Sequence, residues 1–243
     1  MCWSPETSLA MVGLGTVATV FSVARRDARP IWLALGYFTV IEALQVVGYS
    51  VIGQCETPTN RAVTWASYLH IVFQPFIINA FAMELVAAPI KRRVRRIVFV
   101  LCGLSAAIML VQITPIKWAG TCLPGAPLCA AEACTRPGNW HLAWDIPYNG
   151  LLVPFEAALG LTFGFPTYMF TVLIVPMLYG AWRFVLLHMA VGPILAAAVT
   201  TDPNEMPAIW CLFSVGIILI SLVPAVRSRM TADTWWGRKV AAD

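Results

Sequence analysis

Three apolar runs of this sequence carry polar side chains at helical spacing. Glu42 is followed by Gln45 and Tyr49 at i+3 and i+7, which puts all three on one helical face. His70 and Gln74 stand at i and i+4, with Ser67 close to the same side. Trp210 and Ser214 repeat the i, i+4 spacing in a later run. Ionisable groups inside a membrane are costly and are functional candidates there. A carboxyl beside an imidazole can share general acid–base work, and an imidazole-held metal would activate water. Such groups also serve as interhelical hydrogen bonds that fix packing.

The segment from Asn139 to Asn149 concentrates reactive groups outside these runs. His141 and Asp145 are four residues apart, so one helical turn would place both on one side to hold a metal or orient a base. Trp140, Trp144 and Tyr148 equally suit an interfacial segment at head-group level. The candidate catalytic set is therefore Glu42, His70, His141 and Asp145. A metal ion, if held, would use His70, His141 and Asp145 and would be zinc, iron or copper. Gln45, Tyr49, Gln74, Trp210 and Ser214 are the candidate ligand-binding groups.

What must position them is a membrane bundle. The 243 residues are 59% hydrophobic and 12% charged, about half the charged fraction of a soluble domain, and mean hydropathy is +0.76. The fold expected is all-α, seven transmembrane helices at about 7–24, 31–52, 61–88, 97–115, 165–182, 184–201 and 205–226. Ser4-Pro5-Glu6 and Thr57-Pro58 read as helix starts, and Asp202-Pro203-Asn204-Glu205 as a cap with a capping-box carboxylate. No removable signal peptide precedes the first run.

Basic residues set the orientation. Arg25, Arg26, Arg29, Lys91, Arg92, Arg93, Arg95, Arg96, Arg183, Arg227, Arg229, Arg238 and Lys239 fall on one side, and only Arg61, Lys117 and Arg136 on the other. The first set should face the cytoplasm, with the N-terminus outside and the C-terminus inside, in the inner (plasma) membrane. The net charge of +4 is then a matter of topology and carries no nucleic-acid signal.

On that topology Glu42 and His70 both lie roughly 14 Å below the outer surface on neighbouring antiparallel helices, so their contact is expected. His188 lies near the cytoplasmic end of its span. Glu84 should pair with Lys91 or Arg92, Asn79 should bond another helix, and Pro75, Pro176 and Pro193 should kink theirs. The outer loop 116–164 is expected to hold an interfacial or re-entrant segment at 150–163. Of seven cysteines, Cys129–Cys134 and Cys55–Cys122 are the expected bridges on an oxidising outer face, with Cys2 left over.

Met1-Cys2-Trp3-Ser4, Glu42-Ala43-Leu44-Gln45 and His70-Ile71-Val72-Phe73-Gln74-Pro75 together resemble a heptahelical membrane-protein family of bacteria and large DNA viruses. The resemblance implies the seven-span fold and no particular activity. Rhodopsins share that topology, but the last span has no lysine for a retinal Schiff base. Ser67-Tyr68-Leu69-His70 is similar to the early motif of heptahelical zinc hydrolases, yet their His-x-x-x-His on the last span is missing. Three roles are thus compatible with the sequence. The outward-opening polar site between helices 2, 3 and 7 would belong to a metal-dependent enzyme acting on a lipid or apolar small molecule. Alternatively it would belong to a small-molecule- or lipid-binding or proton-linked carrier protein, or the chain would be an accessory subunit of a membrane complex or oligomer.

Overall fold

Prolines at first-turn positions open the first four helices, where a missing N–H costs nothing. These are α1 (Pro5–Ala24), α2 (Arg29–Ser50), α3 (Pro58–Ala82) and α4 (Ala88–Gln112). Ser4 caps α1 by accepting from Thr7 N at 3.3 Å, and Thr57 caps α3 by accepting from Asn60 N at 3.3 Å. A two-stranded antiparallel hairpin follows, β1 (Cys134–Pro137) with β2 (Leu142–Asp145), and then a short helix α5 (Val153–Leu159). The remaining helices are α6 (Pro166–Leu178), α7 (Trp182–Val199), α8 (Met206–Trp210), α9 (Phe213–Leu222) and α10 (Pro224–Met230). The computed structural model describes residues 4–160, 162, 164–211, 213–232, 234–235 and 238–239. Cys2 and the first three residues of the opening motif lie outside them.

Five helices are long and apolar enough to cross a membrane: α1, α2, α3 with its 3-10 extension to Leu85, α4 and α7. The apolar run of α6 is shorter, and the run expected at 205–226 is divided among α8, α9 and α10. α4 begins nine residues before the expected span, because Lys91 to Arg96 continue its helix before the apolar stretch. α5 has seven residues, about 10 Å of rise, so it does not cross.

α3 is the centre of the bundle, with 67% of its apolar window buried against 22% for α1. The peripheral helices expose large aliphatic side chains, among them Val17 and Val20 on α1 and Ile97 and Leu104 on α4. Such surfaces call for lipid rather than water. α1 and α2 pack closely where Gly15 meets Thr39; a Cβ at Gly15 would lie 2.2 Å from Thr39 Oγ1.

Contacts sort the connections to two ends. At one end Arg227 pairs with Asp27 at 3.4 Å, Ala232 bonds the backbones of Leu85 and Ala87, and Arg183 donates to the Arg229 and Thr231 carbonyls. Glu84 pairs with Lys91 there, as expected. At the other end the hairpin covers the helices. Asn60 Nδ2 donates to Thr135 O at 2.8 Å, and Thr135 N donates to Asn60 Oδ1 at 3.0 Å. Two disulfides close this end, Cys55–Cys134 and Cys122–Cys129. All four expected cysteines are bridged, but the expected partners are exchanged. Strand pairing lays Cys134 over the α2–α3 turn that carries Cys55, while the tight turns of 123–128 fold Cys129 back on Cys122. Cys102 and Cys211 are free and buried.

Candidate functional site

Helices α6 and α7 are each interrupted by a π turn, at Phe170–Ile174 and Ala190–Ile194. Pro176 has no N–H for the Val172 carbonyl, and the Val172 backbone turns toward His188. Pro193 and Gly192 break α7; Gly192 leaves the helical region at φ −105°, ψ −106°. The Trp210 ring fills the break so closely that a Cβ on Gly192 would meet Trp210 Nε1 at 2.4 Å. Trp210 Nε1 donates to His188 Nε2 at 2.8 Å. Asn79 ties these distortions to α3, donating to Pro75 O and Thr171 O at 2.9 Å each and accepting from Tyr179 OH at 3.2 Å.

Two kinked helices cannot close against α3, and an apolar cavity of about 250 Å³ opens between them. Ile71 and Gln74 form one wall, Phe165 and Tyr168 another, and Trp210 and Cys211 a third. Pro127 and Leu128 of the 116–164 loop also line it. Its polar handle is Gln74, whose Oε1 accepts from Tyr168 OH at 2.5 Å. That bond orients the amide and leaves its Nε2 hydrogens as donors. Tyr168 and Trp210 meet edge to face, ring centroids 5.7 Å apart. A dry cavity of about 150 Å³ already takes benzene, so this one admits a larger apolar group.

The expected single polar site is divided. Gln74 and Trp210 line the large cavity. Glu42 and Ser214 instead line a cavity of about 10 Å³ against α1. Gln45 accepts from Ser8 Oγ at 3.4 Å and lies beside the Cys211 thiol, which donates to Pro207 O at 3.4 Å. Glu42 and His70 make no hydrogen bond to each other; Glu42 Oε2 and His70 Nε2 are both unpartnered. The His70 ring stacks on Tyr37, centroids 3.8 Å apart, and Tyr37 OH donates to the His70 carbonyl at 2.5 Å. The His70 ring therefore belongs with α2's Tyr37, not with Glu42 one turn further along.

His141 and Asp145 flank and end a β-strand; they do not share a helical turn. Tyr49, expected as a ligand group, meets His141 Nδ1 at 3.2 Å. His141 Nδ1 also accepts from Leu142 N at 2.7 Å, and burial pushes this imidazole down to about 3. Asp145 accepts from Arg136 Nε at 2.9 Å and from Asn204 Nδ2 at 2.6 Å. Arg136 also reaches Asp202 at 2.8 Å, and these two carboxylates hold its charge more firmly than usual. Among the described residues no three His, Cys, Asp or Glu side chains gather to hold a metal, so His70, His141 and Asp145 form no common metal centre.

A family model described as a family of unknown function (DUF5765) matches residues 6–231. The chain belongs to that family. The match agrees with the expectation of a family without an assigned activity. No curated protein and no solved structure matches the chain.

Several residues in and around the cavity were not singled out from the sequence as site residues. Tyr168 and Phe165 stand in an ordinary apolar run, and only folding shows that they border a cavity. His188 reaches Trp210 through a helix break that residue counting along a straight helix misses. Glu205 is not a capping-box residue. A turn at 202–205 precedes α8, and the Glu205 carboxylate accepts from the backbone N–H of Asn139, Trp140 and His141 and from Thr200 Oγ1.

Proposed function

We propose that this chain is a seven-crossing protein of the plasma (inner) membrane that binds a lipid chain or apolar small molecule in the cavity bounded by α3, α6, α7 and α8. Its N-terminus faces outward and its C-terminus the cytoplasm. The two disulfides at one end and the basic clusters at the other support that orientation. The divided run α8–α9 and the π-distorted α6 each cross once in this reading.

The observation that carries the proposal is the cavity itself: about 250 Å³, walled by apolar and aromatic side chains, with one oriented amide. This is the composition of small-molecule sites, apolar walls with a few placed polar groups. Ala197 lines the cavity and is also exposed on α7, so the mouth opens on the bundle flank. A ligand would enter sideways from the outer leaflet. Gln74 Nε2 would donate to one acceptor on it, a carbonyl or hydroxyl oxygen.

Binding of a fluorescent polyene fatty acid to the detergent-purified protein tests the reading. Saturable binding to wild type, weakened at least tenfold by Ala197→Trp and several-fold by Gln74→Leu, is expected. Equal binding to wild type and to a correctly folded Ala197→Trp variant would refute it.

A further inference from the structure

The small cavity lined by Glu42 lies where α1, α2 and α9 meet. Its volume, about 10 Å³, is room for one water-sized particle. Glu42 and Ser214 are 2% and 3% exposed, and Glu42 Oε2 and Ser214 Oγ face it without a hydrogen-bond partner. Thr39 adds a third oxygen; its proton is used on the Leu35 carbonyl at 2.8 Å, so its lone pairs remain. Gly15 lets α1 approach that hydroxyl, where any Cβ would collide with it. Glu42 is in none of the ion pairs among the described residues. A carboxyl group deep in an apolar bundle requires a compensating charge or a bound proton.

We propose that Glu42, Thr39 and Ser214 form a site for one small monovalent cation, sodium or a proton. One carboxylate and one such cation sum to zero charge, which the apolar surroundings tolerate. Oxygen donors suit a hard cation, and the volume excludes larger or hydrated ions. The site shares no lining residue with the large cavity, and Gln45 lies between the two. Gln45 lies one turn beyond Glu42 on α2 and beside Cys211, which lines the large cavity. The titratable groups that sense Glu42 are the Cys211 thiol and Tyr49.

The test uses full-length protein purified in choline chloride. Thermal unfolding and radioactive sodium binding are followed as sodium chloride is added at pH 8, with potassium chloride as control. The sodium arm predicts saturable binding and a saturable rise in Tm with sodium alone, abolished in Glu42→Gln and at least tenfold weaker in Ser214→Ala. The proton arm predicts no response to sodium but an infrared carbonyl band of a protonated carboxyl. That band is absent from Glu42→Gln and displaced in Ser214→Ala. A sodium response that survives Glu42→Gln overturns the proposal, as does the absence of both the sodium response and the band. Should Glu42→Gln fail to fold by detergent chromatography, Thr39→Val and Ser214→Ala decide by the same readings.

Discussion

Removing the Glu205 carboxylate should loosen the whole hairpin cover. Glu205 is fully buried, and four donors converge on it: the N–H groups of Asn139, Trp140 and His141 and the Thr200 hydroxyl. His141 and Thr200 are themselves buried, so their donors cannot turn to water after Glu205→Ala. A buried donor left unpaired costs about 1–3 kcal/mol. Two such donors, with smaller losses at the part-buried N–H groups of Asn139 and Trp140, bring the expected cost to about 4 kcal/mol. For a chain of this size that is a fall in Tm on the order of 10 °C. Glu205→Gln should recover less than half, because its amide nitrogen would confront N–H donors. Thermal unfolding in detergent measures the shift, and limited chymotrypsin cleavage after Trp140 reports hairpin release. A fall below about 2 °C for Glu205→Ala, with cleavage unchanged, would refute the idea that this carboxylate fastens the hairpin to α8.

Acid should weaken the same region. His141 is neutral down to about pH 3 in the fold and protonates near 6.5 when exposed, so the unfolded chain gains the proton first. Stability complete above pH 6.5 is lost as pH falls toward 3, and His141→Asn should flatten that part of the Tm–pH curve. Opening the Cys55–Cys134 bridge frees a loop of 79 residues and should cost about 4.5 kcal/mol, against about 2.4 for the seven-residue Cys122–Cys129 loop. Denaturation of Cys55→Ser and Cys122→Ser variants orders them, and peptide mapping without reduction checks the pairing. Gly192→Ala should push Trp210 off the break in α7 and lower fatty-acid binding without unfolding the bundle. Binding and near-ultraviolet circular dichroism measure the two effects.

The first four helices were legible because composition, first-turn prolines and hydroxyl caps agree at each start. The charge asymmetry and the set of bridged cysteines were legible for similar reasons, since both follow from local residue type. The division of 205–226 was not, because its apolar content is continuous and the turn at 202–205 is stabilised by distant backbone donors. The hairpin was missed for a related cause: aromatic residues at 140–148 fit an interfacial helix as well as a strand. Gln74 and Trp210, which both line the cavity, carry burial-cost and spacing signals in the sequence. Glu42 and His70 were matched in depth, yet depth says nothing about the rotation that turns each toward a different neighbour. Tyr168 and His188 needed the helix breaks, which arise from Pro176, Pro193 and Gly192 acting together.

The central claim, an apolar ligand lodged between α3, α6, α7 and α8, is tested most directly by photolabelling in membranes. A diazirine fatty acid would be crosslinked and the labelled peptides read by mass spectrometry. Saturable labelling at Met169, Met206 and Pro193–Ala197, displaced by excess unlabelled fatty acid, is the expected result. Labelling spread over the lipid-facing sides of α1 and α4, with no displaceable fraction at those residues, would contradict it.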